Sequence, residues 1–206
     1  MPNLAQEIFG TILFLIAVID PFGSVPVYLE ATKQFEKAKK QKVAIRASFI
    51  AFFILLFFIL LGQLILEGMD VSLAAFQISG GVILFLFALT MVFGESKPES
   101  EKQLIQDERS VTIFPIAIPS IASPGAIMAV VLMTDNHLYT FQQQAVTTLL
   151  IFLVVMLTML LLLAANSVFE RIGEYGITLI SKIMGLILAA YAVQSILSGL
   201  KDFFMG

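Results

Sequence analysis

The sequence predicts an all-α, polytopic membrane protein with six spanning helices, arranged as two inverted three-helix repeats whose first and fourth helices are broken. Three observations carry that expectation. Apolar residues fill 59% of the 206 positions and charged residues only 13%, whereas a soluble domain carries about half and a quarter. The apolar residues come in six runs, each close to the roughly 20 residues a helix needs to cross a bilayer. The first and fourth runs each contain a proline–glycine cluster partway along.

The first run begins as Leu4–Ile19 and reaches the cluster Asp20-Pro21-Phe22-Gly23-Ser24-Val25-Pro26. It lacks a basic n-region and a small-residue cleavage site, so it reads as a retained helix and not as a signal peptide. The remaining runs cover 44–66, 71–93, 111–134, 145–168 and 176–199. Residues 95–109 form the one polar stretch long enough to be flexible, and they divide the chain near its middle. The expected organisation is a first three-helix repeat over 1–94, a cytoplasmic linker over 95–110 and a second repeat over 111–206, together one membrane domain.

Orientation follows from the basic residues. Six spans with the N-terminus outside place every lysine and arginine except Lys201 on one side of the membrane. That segregation satisfies the positive-inside rule and predicts a multi-pass protein of the inner (cytoplasmic) membrane with both termini extracytoplasmic. Five or seven spans would scramble it. Lys37, Lys39, Lys40 and Lys42 act in this reading as topological signals.

The two halves echo each other. Gly81-Val82-Ile83-Leu84 in the third run matches Gly185-Leu186-Ile187-Leu188 in the sixth, and Asp20-Pro21-Phe22-Gly23 matches Ser123-Pro124-Gly125 at nearly the same offset. Three helices per repeat is an odd number, so the halves must enter the membrane from opposite sides, as in many secondary transporters.

The clusters fall at depth. Asp20 lies about 24 Å along the first helix, and the Pro119-Ser120-Ile121-Ala122-Ser123-Pro124-Gly125 break begins on the order of 12 Å into the fourth. Proline removes an amide and clashes with the preceding turn. In hydrocarbon such a break survives only where protein or a watery cavity satisfies the freed groups. Asp20-Pro21 and Ser123-Pro124 each set a good N-cap residue before a proline at the first helical position. Each break then starts a half-helix, one running inward and one outward, with positive ends that can converge on a carboxylate. A lone proline in a membrane helix is more often a simple kink; two clusters in corresponding positions favour a site.

Asp20 is the one acid well inside an apolar run, where a carboxylate costs several kcal/mol unless paired, wetted or protonated. It reads either as a cap on the amides after Pro21 or as a ligand for an ammonium group or proton, and these roles can coexist. A zwitterion suits the place, with its carboxylate at the amide ends and its ammonium near Asp20. The candidate substrate-binding residues are Asp20, Pro21, Gly23, Ser24, Ser120, Ser123, Pro124 and Gly125. Ser79-Gly80-Gly81 reads as a surface for close helix packing, and Asn166 and Gln194 as interhelical hydrogen bonds.

Other chemistry has little to stand on. The chain has no cysteine and one histidine, His137, in an expected external loop, so no zinc or haem site is proposed and no cofactor is expected. The net charge of −3 is segregated by loop and points to no nucleic-acid partner.

At these motifs the sequence resembles the MarC family, which includes small neutral amino acid transporters. The matching pieces are Asp20 to Pro26, Phe114-Pro115-Ile116-Ala117-Ile118-Pro119, Ala122 to Gly125, and Ile180-Ser181-Lys182-Ile183-Met184-Gly185-Leu186. The resemblance covers essentially the whole chain and implies carriage of glycine, alanine or similar amino acids through the paired breaks. Many relatives have asparagine where this chain has Asp20, which argues against an obligatory proton-carrying carboxylate there. Many have glycine in place of Ser123.

The expected function is a secondary carrier working by alternating access. The sequence has no Walker A loop to bring ATP; coupling to protons or sodium is expected for uptake, with passive exchange or export the open alternatives. An intramembrane enzyme would need a base near Ser24, Ser120 or Ser123, and no histidine, lysine or cysteine stands close in sequence. A non-transporting assembly subunit would explain helix packing but leave the two breaks without a purpose.

Overall fold

Lipid offers no water to backbone amides and carbonyls, so apolar runs of this length fold as helices, where each group is satisfied within its own segment. The computed structural model describes residues 4–93 and 107–205. These residues form α1 (Leu4–Ile19), α2 (Ser24–Ala31), α3 (Lys37–Gly68), α4 (Leu73–Phe93), α5 (Glu108–Val111), a wide π-helical coil over Thr112–Ile121 that two extended residues interrupt, α6 (Pro124–Met133), α7 (Phe141–Leu163) and α8 (Ala165–Met205). The expected linker over 95–110 lies outside the described residues except for its last part, where Asp107 caps α5 by accepting the Ser110 amide at 2.7 Å.

Among the described residues, five stretches are long and apolar enough to cross a membrane: Ile8–Ala31, which takes in most of α1 with α2, then α3, α4, α7 and α8. A sixth is reached if Glu108–Ile121 and Pro124–Met133, bent by 56° at their break, count as one span. That pair runs alongside α3. Arg46 pairs with Glu108 at 3.0 Å near one end, and the Asn136 amide donates to Gln63 Oε1 at 2.7 Å near the other. Arg46 to Gln63 is roughly 25 Å of helix.

Helix ends differ from the sequence reading where polar residues continue a helix beyond lipid. α3 already starts at Lys37 and not near 44. α7 stops at Leu163, short of 168, and the chain re-enters a helix at Ala165. Residues 169–175, expected as a loop, are helical apart from Gly173, whose φ of 72° and ψ of 167° turn the chain sharply. Such positive φ is open to glycine because it has no β-carbon.

α4 and α8 form the most extensive helix pair, running antiparallel with glycines at the contact. A β-carbon on Gly81 would lie 2.6 Å from Ile196 Cγ1 and 2.9 Å from the Ala192 carbonyl oxygen; one on Gly185 would lie 2.8 Å from Met91 Cβ, 3.1 Å from the Ala88 carbonyl oxygen and 3.1 Å from Val92 Cγ2. Small residues let backbones approach this closely, which is how helices gain packing energy in lipid. Gly80 faces the other way, toward Met128 and Leu132 of α6. Gln194, expected to bridge helices, instead donates to Ser198 of its own helix at 3.3 Å, and Asn166 is exposed.

α1 also runs antiparallel to α8. Phe14 stacks on Tyr191 with ring centroids 3.8 Å apart, while Asp20, later in the chain, meets Ser181, earlier in α8. On α3 the inward face is Val43, Ala44, Ala47, Ala51 and Leu55, all fully buried. The alanines allow α7 and the Thr112–Ile121 coil to pack closely against it.

Candidate functional site

The first break starts at Pro21, which has no amide to give back to α1. Asp20 takes a left-handed conformation with φ of 47°, and its Oδ1 accepts the Gly23 amide at 3.0 Å. The Asp20 carbonyl then accepts the Ser24 amide at 3.1 Å, and α2 begins. Gly23 is glycine for a steric reason. A β-carbon there would strike Asp20 Oδ2 and come within 2.7 Å of Asp20 Cγ, so the carboxylate can fold back over residue 23 only when that residue has no side chain.

The second break is wider than the Pro119–Gly125 cluster foretold. Phe114 (φ −131°, ψ 120°) and Ile118 (φ −129°, ψ 130°) are both extended inside the Thr112–Ile121 coil. Each precedes a proline, whose ring disfavours the helical conformation in the residue before it; both X-Pro bonds are cis. The irregular backbone therefore covers a ten-residue stretch. At its end Ser123 (φ −67°, ψ 156°) is the N-cap of α6, accepting the Ala126 amide at 3.0 Å, with Pro124 in the first turn. Asp20 and Ser123 thus make the same bond, from side-chain oxygen to the amide three residues on.

The two breaks touch. Ser120 Oγ donates to Ser24 Oγ at 3.0 Å, and Ser24 Oγ reaches both the Ser120 carbonyl at 3.2 Å and the Asp20 carbonyl at 3.1 Å. The Ser123 hydroxyl lies 3.4 Å from the Val18 carbonyl. The broken spans therefore pass each other antiparallel, with 18 and 24 of one against 123 and 120 of the other. This polar cluster is closed off: Ser24, Ser120 and Ser123 are 1%, 3% and 0% exposed and Asp20 is 8% exposed.

Six of the eight sequence-predicted residues lie in the two turns that meet here: Asp20, Pro21, Gly23, Ser24, Ser120 and Ser123, all buried. Gly125 is buried too, but it faces α4, where a β-carbon would lie 3.0 Å from Leu84 Cδ2 and 3.4 Å from Phe87 Cδ1. Pro124 is exposed and stands outside the buried cluster. One residue was missed. Ser181 of α8 donates to Asp20 Oδ1 at 3.3 Å across 161 positions of chain. It lies within the motif around Ile180 to Leu186, but no periodicity tells which serine of a span faces a distant break.

A second polar feature lies at the α3–α4 and α6–α7 connections, a groove of about 340 Å³ lined by Glu67, Asp70, Asp135 and His137 among others. It shares no lining residue with the break cluster.

Comparison with known proteins finds a family of membrane proteins. The family model for the MarC family integral membrane protein matches residues 5–204. The chain is 34% identical to the UPF0056 membrane protein of Aquifex aeolicus, with 96% of each chain covered. It is 36% identical to one from Methanocaldococcus jannaschii over 91% of this chain and 92% of that one. It is 29% identical to the UPF0056 inner membrane protein YhgN of Escherichia coli over 98% and 100%. No solved structure matches significantly. With its family model matched from end to end, this chain belongs to the MarC family of integral membrane proteins.

Proposed function

We propose that the protein is a secondary carrier of small neutral amino acids, of the glycine and alanine class, which binds its substrate between the two helix breaks and works by alternating access. The observation that carries this reading is the direct bond between Ser24 and Ser120, which joins two interrupted spans in a buried polar cluster. A structural protein has no use for two interrupted helices at the same depth, because each freed backbone group must be satisfied again.

The chemistry fits a zwitterion. The starts of α2 and α6 present amides and the positive ends of helix dipoles to a carboxylate. Asp20 supplies a negative oxygen for the ammonium. Gly23 and the serines leave space only for a small side chain. In this conformation the Ser24–Ser120 contact fills the position, so substrate enters by parting the two breaks, and the antiparallel α4–α8 seam is the natural pivot.

The same reading places six spans in the inner membrane, with the bent fourth run crossing. Its passage from Arg46 to Gln63 along α3 supports a crossing over a re-entrant loop. The antiparallel course of α1 and α8 supports both termini lying on one face, and the lysines and arginines argue that this face is extracytoplasmic. YhgN is described as an inner membrane protein. The Gly81 and Gly185 contacts support two inverted three-helix repeats. Adding 104 to positions 81, 88 and 92 gives 185, 192 and 196, so Gly81 against Ala192 and Ile196 has its counterpart in Gly185 against Ala88 and Val92.

The test is uptake of radiolabelled glycine and alanine into proteoliposomes holding the purified protein alone. Saturable flux is expected, with each amino acid competing for the other. Absence of flux with verified, folded protein, under proton and sodium gradients alike, would overturn the proposal.

A further inference from the structure

We propose that one exposed stripe of α3 is a docking surface for an anionic phospholipid. Lys39, Lys42 and Arg46 follow at intervals of three and four, so they line up on one face of the helix. All three are exposed, on the side away from the buried Val43, Ala44, Ala47 and Ala51. The same spacing continues through Phe49, Phe53 and Phe57 and then through Leu60 and Leu64, every one of them exposed. The stripe therefore runs from cations through aromatic rings to aliphatic side chains without leaving its face. Its dimensions are those of a lipid. Lys39 to Arg46 takes about 10 Å of helix, and Arg46 to Phe57 about 16 Å, close to half of a hydrocarbon core of roughly 30 Å. With the cations among the headgroups, the phenylalanines fall within one leaflet and the leucines beyond the midplane.

Charge selects the occupant. Lys39 and Lys42 meet no carboxylate among the described residues, whereas Lys33 pairs with Glu30 and Arg46 with Glu108. Arg46 keeps 57% of its side chain exposed in that pair, so its guanidinium can still reach a second anion. Lysines and arginines just outside a spanning helix attract anionic headgroups, each raising affinity about fivefold. A second copy of the chain is the poorer occupant. Two copies inserted the same way and paired symmetrically through α3 would set each cation against its own counterpart. The rings are also braced. Phe53 lies beside Phe52 with centroids 6.0 Å apart, and Phe57 meets Phe58 edge-on at 5.4 Å. Phe52 and Phe58 in turn pack against the core. Rings held in this way lose little freedom when an acyl chain lies along them. Lipid binding here needs α3 to span the membrane and needs no transport, so it stands apart from the carrier reading.

The chain has no tryptophan, so a single one reports its own lipid neighbours. The experiment places full-length Phe53→Trp, substituted at a position 62% exposed, in vesicles of brominated-chain phosphatidylglycerol mixed with ordinary phosphatidylcholine. A second set carries the bromines on phosphatidylcholine instead, and quenching in the two sets gives the lipid preference at that position. Phosphatidylglycerol should be favoured about fivefold or more over its share of the bilayer. Leu160→Trp, exposed on α7, should find it near its bulk share. Lys39→Gln with Lys42→Gln should bring Phe53→Trp down to the bulk share. Lys37→Gln with Lys40→Gln, which removes the same charge from the same helix but off the stripe, should keep the preference. Lys39, Lys42 and Phe53 are all exposed, so these variants leave the packed core untouched. Bulk-share quenching at Phe53→Trp would overturn the site. An equal preference at Leu160→Trp, or equal losses in the two lysine pairs, would do the same, since either means diffuse attraction to a charged surface. Quenching by neither lipid would place another protein surface over the stripe and overturn it as well.

Discussion

Ser24 and Ser120 are 96 positions apart in the chain, yet their hydroxyls meet at 3.0 Å in a place almost sealed from the exterior. The bond joins the start of α2 to the end of the Thr112–Ile121 coil, and it is the direct side-chain link between the two interrupted spans. Removing either hydroxyl leaves a buried oxygen short of a partner, a loss of about 1–3 kcal/mol. Ser24→Ala with Ser120→Ala should cost less than the sum of the single changes, with a coupling of roughly 0.5–3 kcal/mol. Melting temperatures of the four proteins in detergent give the cycle, and strictly additive losses would count against the bond.

Gly23→Ala should stop glycine uptake while the protein still reaches the membrane. The added carbon displaces the Asp20 carboxylate from the Gly23 amide, so the first break loses its cap and its charge moves. Gly10→Ala is the control: its β-carbon would meet nothing within 4 Å, and alanine favours helix by about 1 kcal/mol over glycine. Uptake equal to wild type in Gly23→Ala, at matched membrane levels, would sink the role given to this turn.

Gly81→Leu and Gly185→Leu should weaken the α4–α8 seam to a similar degree, since each would force a side chain against a carbonyl and a neighbouring aliphatic group. Overpacking of this kind costs about 1–3 kcal/mol or more. Thermal unfolding of both variants tests this, and a large loss in one with none in the other would break the correspondence between the two contacts.

Because the chain has no cysteine, single cysteines report topology without a background. With a membrane-impermeant maleimide on intact cells, Asp202→Cys and His137→Cys should label from outside, while Lys39→Cys and Arg109→Cys should label only after permeabilisation. The pair at 109 and 137 bears on the fourth run: labelling of both from one side would make it a re-entrant loop.

Much of this arrangement is legible in the sequence, because it follows from local chemistry. Pro21 and Pro124 mark the breaks, and Ser123 is a cap that any helix with proline in its first turn would want. The apolar runs set the helices, since lipid leaves no alternative. What escaped reading depends on partners far along the chain. Ser181 reaches Asp20 only because α1 and α8 run antiparallel at one particular rotation. Gly125 looked like part of the break but serves the contact with α4, and Pro124 turned out to face outward. The effect of the Phe114-Pro115 and Ile118-Pro119 pairs, two extended residues that lengthen the irregular backbone, follows locally from the prolines. α7 ends early for a reason hydropathy misses: residues 165–172 form a helix of their own, turned off at Gly173.

The α4–α8 seam has the character of an isologous interface folded into one polypeptide. In a symmetric dimer, if residue i of one copy touches j of the other, then j touches i; here residue 81 touches 192 as 185 touches 88. A three-helix unit carrying this glycine face would be complementary to an upside-down copy of itself. Joined in one chain, the two faces no longer have to stay identical. One half keeps an aspartate at its break where the other keeps a serine, so two breaks built on one plan carry different side chains.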